Sequence, residues 1–221
     1  LVPRLTAAGA TVEIMPVLWK LTSRRGVGYL LRFAIHYPRA IAALEEVRRI
    51  SGWTGRRSDK KGQGRGAAFV QYDNYSGYVG MVIDVVVDRS SGKLRVPKVY
   101  VAHDCGQIIN PDGVINQIQG GVMQTVSRTL MEEVQWSGST IQSVDWATYP
   151  ILRFPETPTV QTVLIDQPGQ PAWGAGEQTP TTIPAAIANA FFDATGVRLR
   201  SIPFTPASVK LALSEGERKA A

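Results

Sequence analysis

Tyr78-Val79-Gly80-Met81-Val82-Ile83-Asp84-Val85-Val86-Val87-Asp88 alternates with a period of two. Val79, Met81, Ile83, Val85 and Val87 share one face, the pattern of a β-strand and not of a helix. Arg89-Ser90-Ser91-Gly92-Lys93 then reads as a turn, and residues 94–102 return as a second strand. The pair is a β-hairpin, and Pro97 within the return strand predicts an edge or a bulge. Outward from this hairpin, residues 67–71, 132–136, 140–146, 160–166 and 198–204 are further strand candidates.

The remaining apolar residues follow a helical period. Ile41, Leu44, Val47 and Ile50 run at spacing three behind Pro38, after a helix-like stretch at 29–36 in which His36 is read as structural. Asn110-Pro111-Asp112 launches a helix over about 114–131, with Val114, Ile115, Ile118, Val122, Thr125, Val126 and Thr129 on its broad apolar face. Ile183, Ile187, Ala190, Phe191 and Ala194 share one face of a last helix, which Gly196 is suited to end. Hairpin strands with long helices inserted predict an α+β fold: a two-layer sandwich with a mixed or antiparallel sheet, not a doubly wound parallel one.

Composition narrows the function classes. With 44% hydrophobic and 19% charged residues the chain can bury a real core and is not compositionally disordered. One cysteine excludes an intrachain disulfide, and two histidines argue against a histidine-rich metal site. No apolar stretch reaches membrane-span length, and no cleavable secretory signal is evident. Residues 1–61 hold 12 of the 24 Lys and Arg but 4 of the 18 Asp and Glu, so the net charge of +6 belongs to the N-terminal part. Aromatic–basic interleaving is missing there, which argues against a nucleic-acid partner. Leu1-Val2-Pro3-Arg4 reads either as native sequence or as a protease-site scar. The expected organisation is a basic helical segment at 1–53, a polar glycine-rich linker at 54–64, a main domain at 65–213 and a loose polar tail at 214–221.

Three places carry candidate chemistry. Gly174-Ala175-Gly176-Glu177 puts a carboxylate beside sterically bare backbone at a helix start, an arrangement that serves either as a capping loop or as an approach to a bulky ligand. Gln117, Gly121, Gln124 and Arg128 form a polar stripe that faces either solvent or a polar ligand. His103-Asp104-Cys105-Gly106 could hold a catalytic cysteine–histidine pair, but a tight turn with a small buried thiol is the simpler reading.

Three segments, taken together, resemble a known family. They are Val101-Ala102-His103-Asp104-Cys105-Gly106-Gln107-Ile108-Ile109-Asn110-Pro111, Ile115-Asn116-Gln117-Ile118-Gln119-Gly120-Gly121, and Gly174-Ala175-Gly176-Glu177 with its following helix. In this order they are similar to the C-terminal part of the molybdopterin-binding large subunit of the xanthine dehydrogenase/aldehyde oxidase family, in the isoquinoline 1-oxidoreductase and nicotinate dehydrogenase style. The resemblance spans about 29–213. It implies that Glu177 is the general base, and that Gln117 hydrogen-bonds near the molybdenum–dithiolene end of the pterin. Gly174, Ala175 and Gly176 would form the loop packed on the cofactor. No protein side chain of this segment is implied as a metal ligand.

The resemblance further implies a molybdenum–molybdopterin cofactor, in its cytosine dinucleotide form, and iron–sulfur clusters on a partner subunit. The implied activity is insertion of a water-derived hydroxyl at an electron-poor carbon of an N-heteroaromatic or aldehyde substrate. Family large subunits are several times longer and carry a glycine–glutamine–glycine loop outside the matched part. The chain is therefore expected to be a fragment, a split subunit or a truncated product that needs the remainder of the molybdopterin subunit and an iron–sulfur small subunit. A non-catalytic assembly domain of the same fold is the alternative. The implied compartment is cytoplasmic, with a periplasmic alternative.

Overall fold

The computed structural model describes residues 38–54, 62–73 and 76–220. The stretch at 29–36 and most of the 54–64 linker lie outside the described residues. The chain forms helix α1 (Pro38–Ser51), strands β1 (Gln63–Tyr72), β2 (Gly77–Val87) and β3 (Leu94–Asp104), and helix α2 (Pro111–Leu130). A two-residue pair, β4 (Trp136–Ser137) and β5 (Thr140–Ile141), and a 3-10 turn (Phe154–Glu156) follow. Strand β6 (Thr159–Leu164), helix α3 (Gln178–Thr195) and helix α4 (Pro206–Ala220) complete it.

The main sheet has the order β1-β2-β3-β6. Its first three strands are an antiparallel meander and β6 pairs parallel to β3, from Lys98 opposite Thr159 to His103 opposite Leu164. The fold is thus α+β with a mixed sheet. The β2–β3 register shifts between Asp84/Lys98 and Val86/Arg95, so β3 carries one extra residue around Pro97, the bulge that the proline predicts.

Both faces of the central strands are covered. Val79, Met81, Ile83, Val85 and Val87 of β2 and Val99 and Val101 of β3 pack against Ile118, Val122 and Val126 of α2 and Ile183, Ile187 and Phe191 of α3. On the reverse face α1 sets Ala40, Ala43 and Val47 against Tyr78, Val82 and Tyr100, a partial cover that the sandwich expectation did not include. The buried face of α1 is turned from the spacing-three row towards Ala40 and Ala43. The cause is Gly80, where a Cβ would stand 2.5 Å from the Ala43 carbonyl oxygen.

The closest seat belongs to α3. A Cβ on Gly64 would stand 2.1 Å from the Ala190 carbonyl oxygen, and one on Gly66 would stand 2.2 Å from both the Ala186 oxygen and the Ala190 nitrogen. Glycine on the strand and Ala186, Ala190 and Ala194 on the helix let backbone meet backbone. Gly196 ends α3 in the left-handed conformation with φ 78°, as expected of it.

Three expected elements differ. Residues 132–136 and 140–146 form only the β4–β5 pair, because their alternation has no sheet to join and both strands are exposed. Residues 198–204 form no strand; Leu199 and Phe204 enter the core, and Phe204 N–H donates to the Thr129 carbonyl at 2.7 Å. Residues 214–220 continue α4 and are no loose tail. Thr205 Oγ1 accepts from Ser208 N–H at 3.2 Å, Pro206 opens the helix, and Val209 and Leu213 anchor it in the core. No described helix is long and apolar enough to cross a membrane.

The α3 seat yields opposite expectations at two glycines. Gly66→Val should cost about 3 kcal/mol or prevent folding, because the clash is with helix backbone. Gly120→Ala, on an exposed turn of α2 where an added Cβ meets nothing within 4 Å, should gain about 0.5–1 kcal/mol. Urea unfolding of the two variants measures both signs.

Candidate functional site

Strand direction gathers the site. β1, β3 and β6 all run the same way, so Tyr72, the segment after Asp104 and the segment after Leu164 leave the sheet at one end. The first segment leads into the N-terminus of α2 and the last into the N-terminus of α3. Parallel strands that feed helices at their carboxyl ends leave a crevice there, the usual place for a ligand in such sheets.

Backbone hydrogen bonds tie the two segments together. Trp173 N–H donates to the Cys105 carbonyl at 3.0 Å, Gln167 N–H to the Gly106 carbonyl at 3.1 Å, and Gly106 and Ala172 form an antiparallel bridge. Ile108 N–H donates to Asp166 Oδ1 at 2.8 Å. Asn110 Oδ1 accepts from Gly113 N–H at 3.0 Å and caps α2, with Pro111 in the first turn. Between the segments lies a cleft of about 320 Å³, lined among others by Gln107, Asn110, Gln117, Trp173 and Ala175.

A buried ion pair supports one wall. Asp104 is fully buried and receives Arg39 in a two-pronged contact, Nε to Oδ2 at 2.8 Å and Nη2 to Oδ1. Gly106 N–H and Gln167 Nε2 donate to the same carboxylate at 2.9 and 3.2 Å. The Arg39 guanidinium lies 4.6 Å from the Tyr78 ring centre and 5.0 Å from that of Trp173. Its pKa is raised, chiefly by the hydrogen bond to Asp104. Deleting one partner of such a pair strands the other charge, at a cost of about 3–5 kcal/mol, so Trp173 is held firmly where it meets the cleft.

Glu177 is the residue just before α3, and it is exposed. Its side chain does not cap the helix. Instead Tyr72 Oη donates to Glu177 Oε2. That contact is the main reason the Tyr72 phenol has a raised pKa. Gln178 folds beneath the loop and donates through Nε2 to the Gly174 carbonyl. An added Cβ on Gly174 or Gly176 would meet nothing within 4 Å, so both glycines present open backbone.

Of the expected site residues, Gln117 and Ala175 line the same cleft. Gly174, Gly176 and Glu177 lie on the adjoining loop, outside that lining. The polar stripe of α2 is divided: Gln124 and Arg128 pair with each other at 3.1 Å, and Gly121 abuts Pro180 of α3. Cys105 is buried, and burial raises its thiol pKa, so it is no nucleophile poised for attack. Residue-by-residue reading missed Tyr72, Gln107 and Trp173. Tyr72 closes a strand candidate, but only the strand directions and the docking of α3 show what it meets.

His103 is fully buried beneath the site, and its Nδ1 shares a hydrogen bond with Thr179 Oγ1 at 3.1 Å. Nε2 has no partner among the described residues. Burial pushes its pKa down to about 4, against a smaller opposing pull from Asp104. The folded chain therefore keeps a neutral imidazole where the unfolded chain takes up a proton. Stability should fall as pH drops from about 6.5 towards 4, by roughly 3 kcal/mol in all, and level off below. Imidazole NMR across this range should show His103 titrating near pH 4; titration near 6.5 would contradict its burial as a neutral ring.

Comparison with known proteins gives a consistent group. The molybdopterin cofactor-binding domain family matches residues 39–158. The B-type subunit of nicotinate dehydrogenase from Pseudomonas putida is 42% identical over 162 residues, which are 70% of this chain and 14% of that protein. The beta subunit of isoquinoline 1-oxidoreductase from Brevundimonas diminuta is 35% identical over 175 residues, 79% of this chain and 22% of that protein. Among solved structures, quinoline 2-oxidoreductase from Pseudomonas putida 86 superposes with a TM-score of 0.59 at 28% identity, covering 63% of this chain and 19% of that one. The chain thus spans 14% to 22% of the length of these two curated relatives.

Proposed function

This chain belongs to the molybdopterin cofactor-binding domain family, and from that premise we propose that it forms one wall of a molybdenum hydroxylase active site, with Glu177 as the general base. The observation that carries the reading is the exposed Glu177 carboxylate on the open Gly174–Gly176 loop, next to a cleft lined by Gln117 and Ala175.

The residues present suit the cofactor. Apart from the buried Cys105, the cleft's polar side chains are the amides of Gln107, Asn110 and Gln117, and its lining includes no carboxylate and no cation. Asn110 is engaged as a helix cap, which leaves Gln107 and Gln117 to donate to and accept from the polar edges of a pterin without adding charge near a redox centre. Ala175, with Gly174 and Gly176 beside it, offers backbone without bulk for close approach. When bound, the cofactor supplies a redox-active metal that makes a water-derived oxygen reactive and accepts the substrate's electrons.

The chain's own part is proton handling and orientation. Glu177 takes the proton released as oxygen is transferred to an electron-poor carbon of an N-heteroaromatic or aldehyde substrate. The N-terminal end of α3 beside it favours a negative charge there. Gln117 holds the pterin, and Trp173, braced by Arg39, keeps the loop in register with α2. The cytosine dinucleotide form of the cofactor and an iron–sulfur partner subunit that carries electrons away complete the proposal. Docking against the remainder of a molybdopterin subunit is supported by Val134, Trp136, Ile141, Val144, Trp146 and Phe154, all exposed within one excursion of the chain. That same surface also favours the second reading, a non-catalytic assembly domain.

In the assembled enzyme Glu177→Gln should lower turnover by about a hundredfold or more while bound molybdenum stays unchanged. Normal turnover in that variant would overturn the base assignment. Gln117→Ala should weaken cofactor retention or slow turnover more modestly, read by metal content and steady-state rates. An assembly that never retains molybdenum would favour the non-catalytic reading.

A further inference from the structure

We propose that Tyr72 is a positioning residue for Glu177: its phenol holds Oε2 so that Oε1 is the oxygen that receives the proton. The inference rests on the reading of Glu177 as the base.

The juxtaposition follows from the fold and needs no accident of rotamer. Gly66 seats on α3 between Ala186 and Ala190. Tyr72 lies six residues further along β1, about 20 Å at strand rise. Glu177 lies eleven residues before the middle of that seat, about 17 Å at helix rise, in the same direction. Strand and helix therefore deliver the phenol and the carboxylate to the same end of the sheet, where Tyr72 Oη donates to Oε2. The β1–α3 seat is fixed at the backbone, so the pair is held from both sides.

The contact does something a capping carboxylate would not. Glu177 stands at the helix start, yet its side chain ignores the α3 amides and turns to the tyrosine. Oε1 has no hydrogen-bond partner among the described residues. An exposed glutamate otherwise samples many rotamers, and a base that must meet one substrate proton loses rate with each misaimed one. A phenol suits the task because it is neutral and donates a single hydrogen bond. The same contact holds its proton more tightly, so it stays a donor throughout the neutral range.

Two measurements test this, and only the second needs a loaded enzyme. In the whole chain carrying ring-labelled tyrosine, NMR titration should show Tyr72 ionising above the ordinary tyrosine range, and Glu177→Gln should bring it down. Identical titration in both proteins overturns the contact. In the assembled enzyme Tyr72→Phe should lower kcat about tenfold with KM, molybdenum content and Tm unchanged. In the Glu177→Gln background the same change should have no further effect on the residual rate. If Glu177→Gln is inert while Tyr72→Phe is fully active, the Tyr72 role falls and the base assignment stands. If Glu177→Gln turns over normally, the base assignment itself falls and takes this role with it.

Discussion

The backbone-to-backbone seat of α3 on Gly64 and Gly66 is the contact on which the site depends. A helix held that close to an edge strand has little freedom to slide, since ordinary core packing resists even a methylene of change. Its N-terminus is therefore placed by the strand, not by the loop that precedes it. Glu177 inherits that placement, and so does its meeting with Tyr72 at the end of the same strand.

The second constraint is the parallel pairing of β6 with β3. It brings the segment at 165–177 beside the segment at 105–110, where backbone hydrogen bonds join them. The Arg39–Asp104 pair then locks the junction from below and carries Trp173 on its guanidinium face. The sheet, two helix starts and one buried ion pair thus build a cleft whose wall is rigid, while the opposite side is open to solvent through exposed Gln107, Ile109 and Gln117. A rigid, uncharged, open-sided wall suits one half of a site for a large cofactor better than a self-contained pocket for a small molecule.

Much of this was legible in the sequence where a local pattern and the tertiary environment agreed. The alternation of β2, the bulge at Pro97, the Asn110 cap and the Gly196 stop each follow from residues within a few positions of one another. The family resemblance rested on three segments read together, and the matching family and relatives bear it out. Patterns without a partner misled: residues 140–146 alternate but find no sheet, and residues 198–204 give the core two side chains without forming a strand. The polar end of α4 looked like a tail because the residues that anchor it, Val209 and Leu213, precede it. Tyr72 could not be found locally at all. Its partner lies 105 residues away, and the pairing depends on strand direction and helix docking.

A chain that supplies one wall of a molybdopterin site needs the rest of the subunit for the other walls. Elemental analysis tests that dependence without any assumption about the substrate. It is run on the purified chain alone and then on the chain co-purified with the remaining segments of a molybdopterin subunit. The expected result is no retained molybdenum in the first sample and close to one molybdenum per assembly in the second. Molybdenum bound stoichiometrically by the chain alone, or absent from the complete assembly, would contradict it.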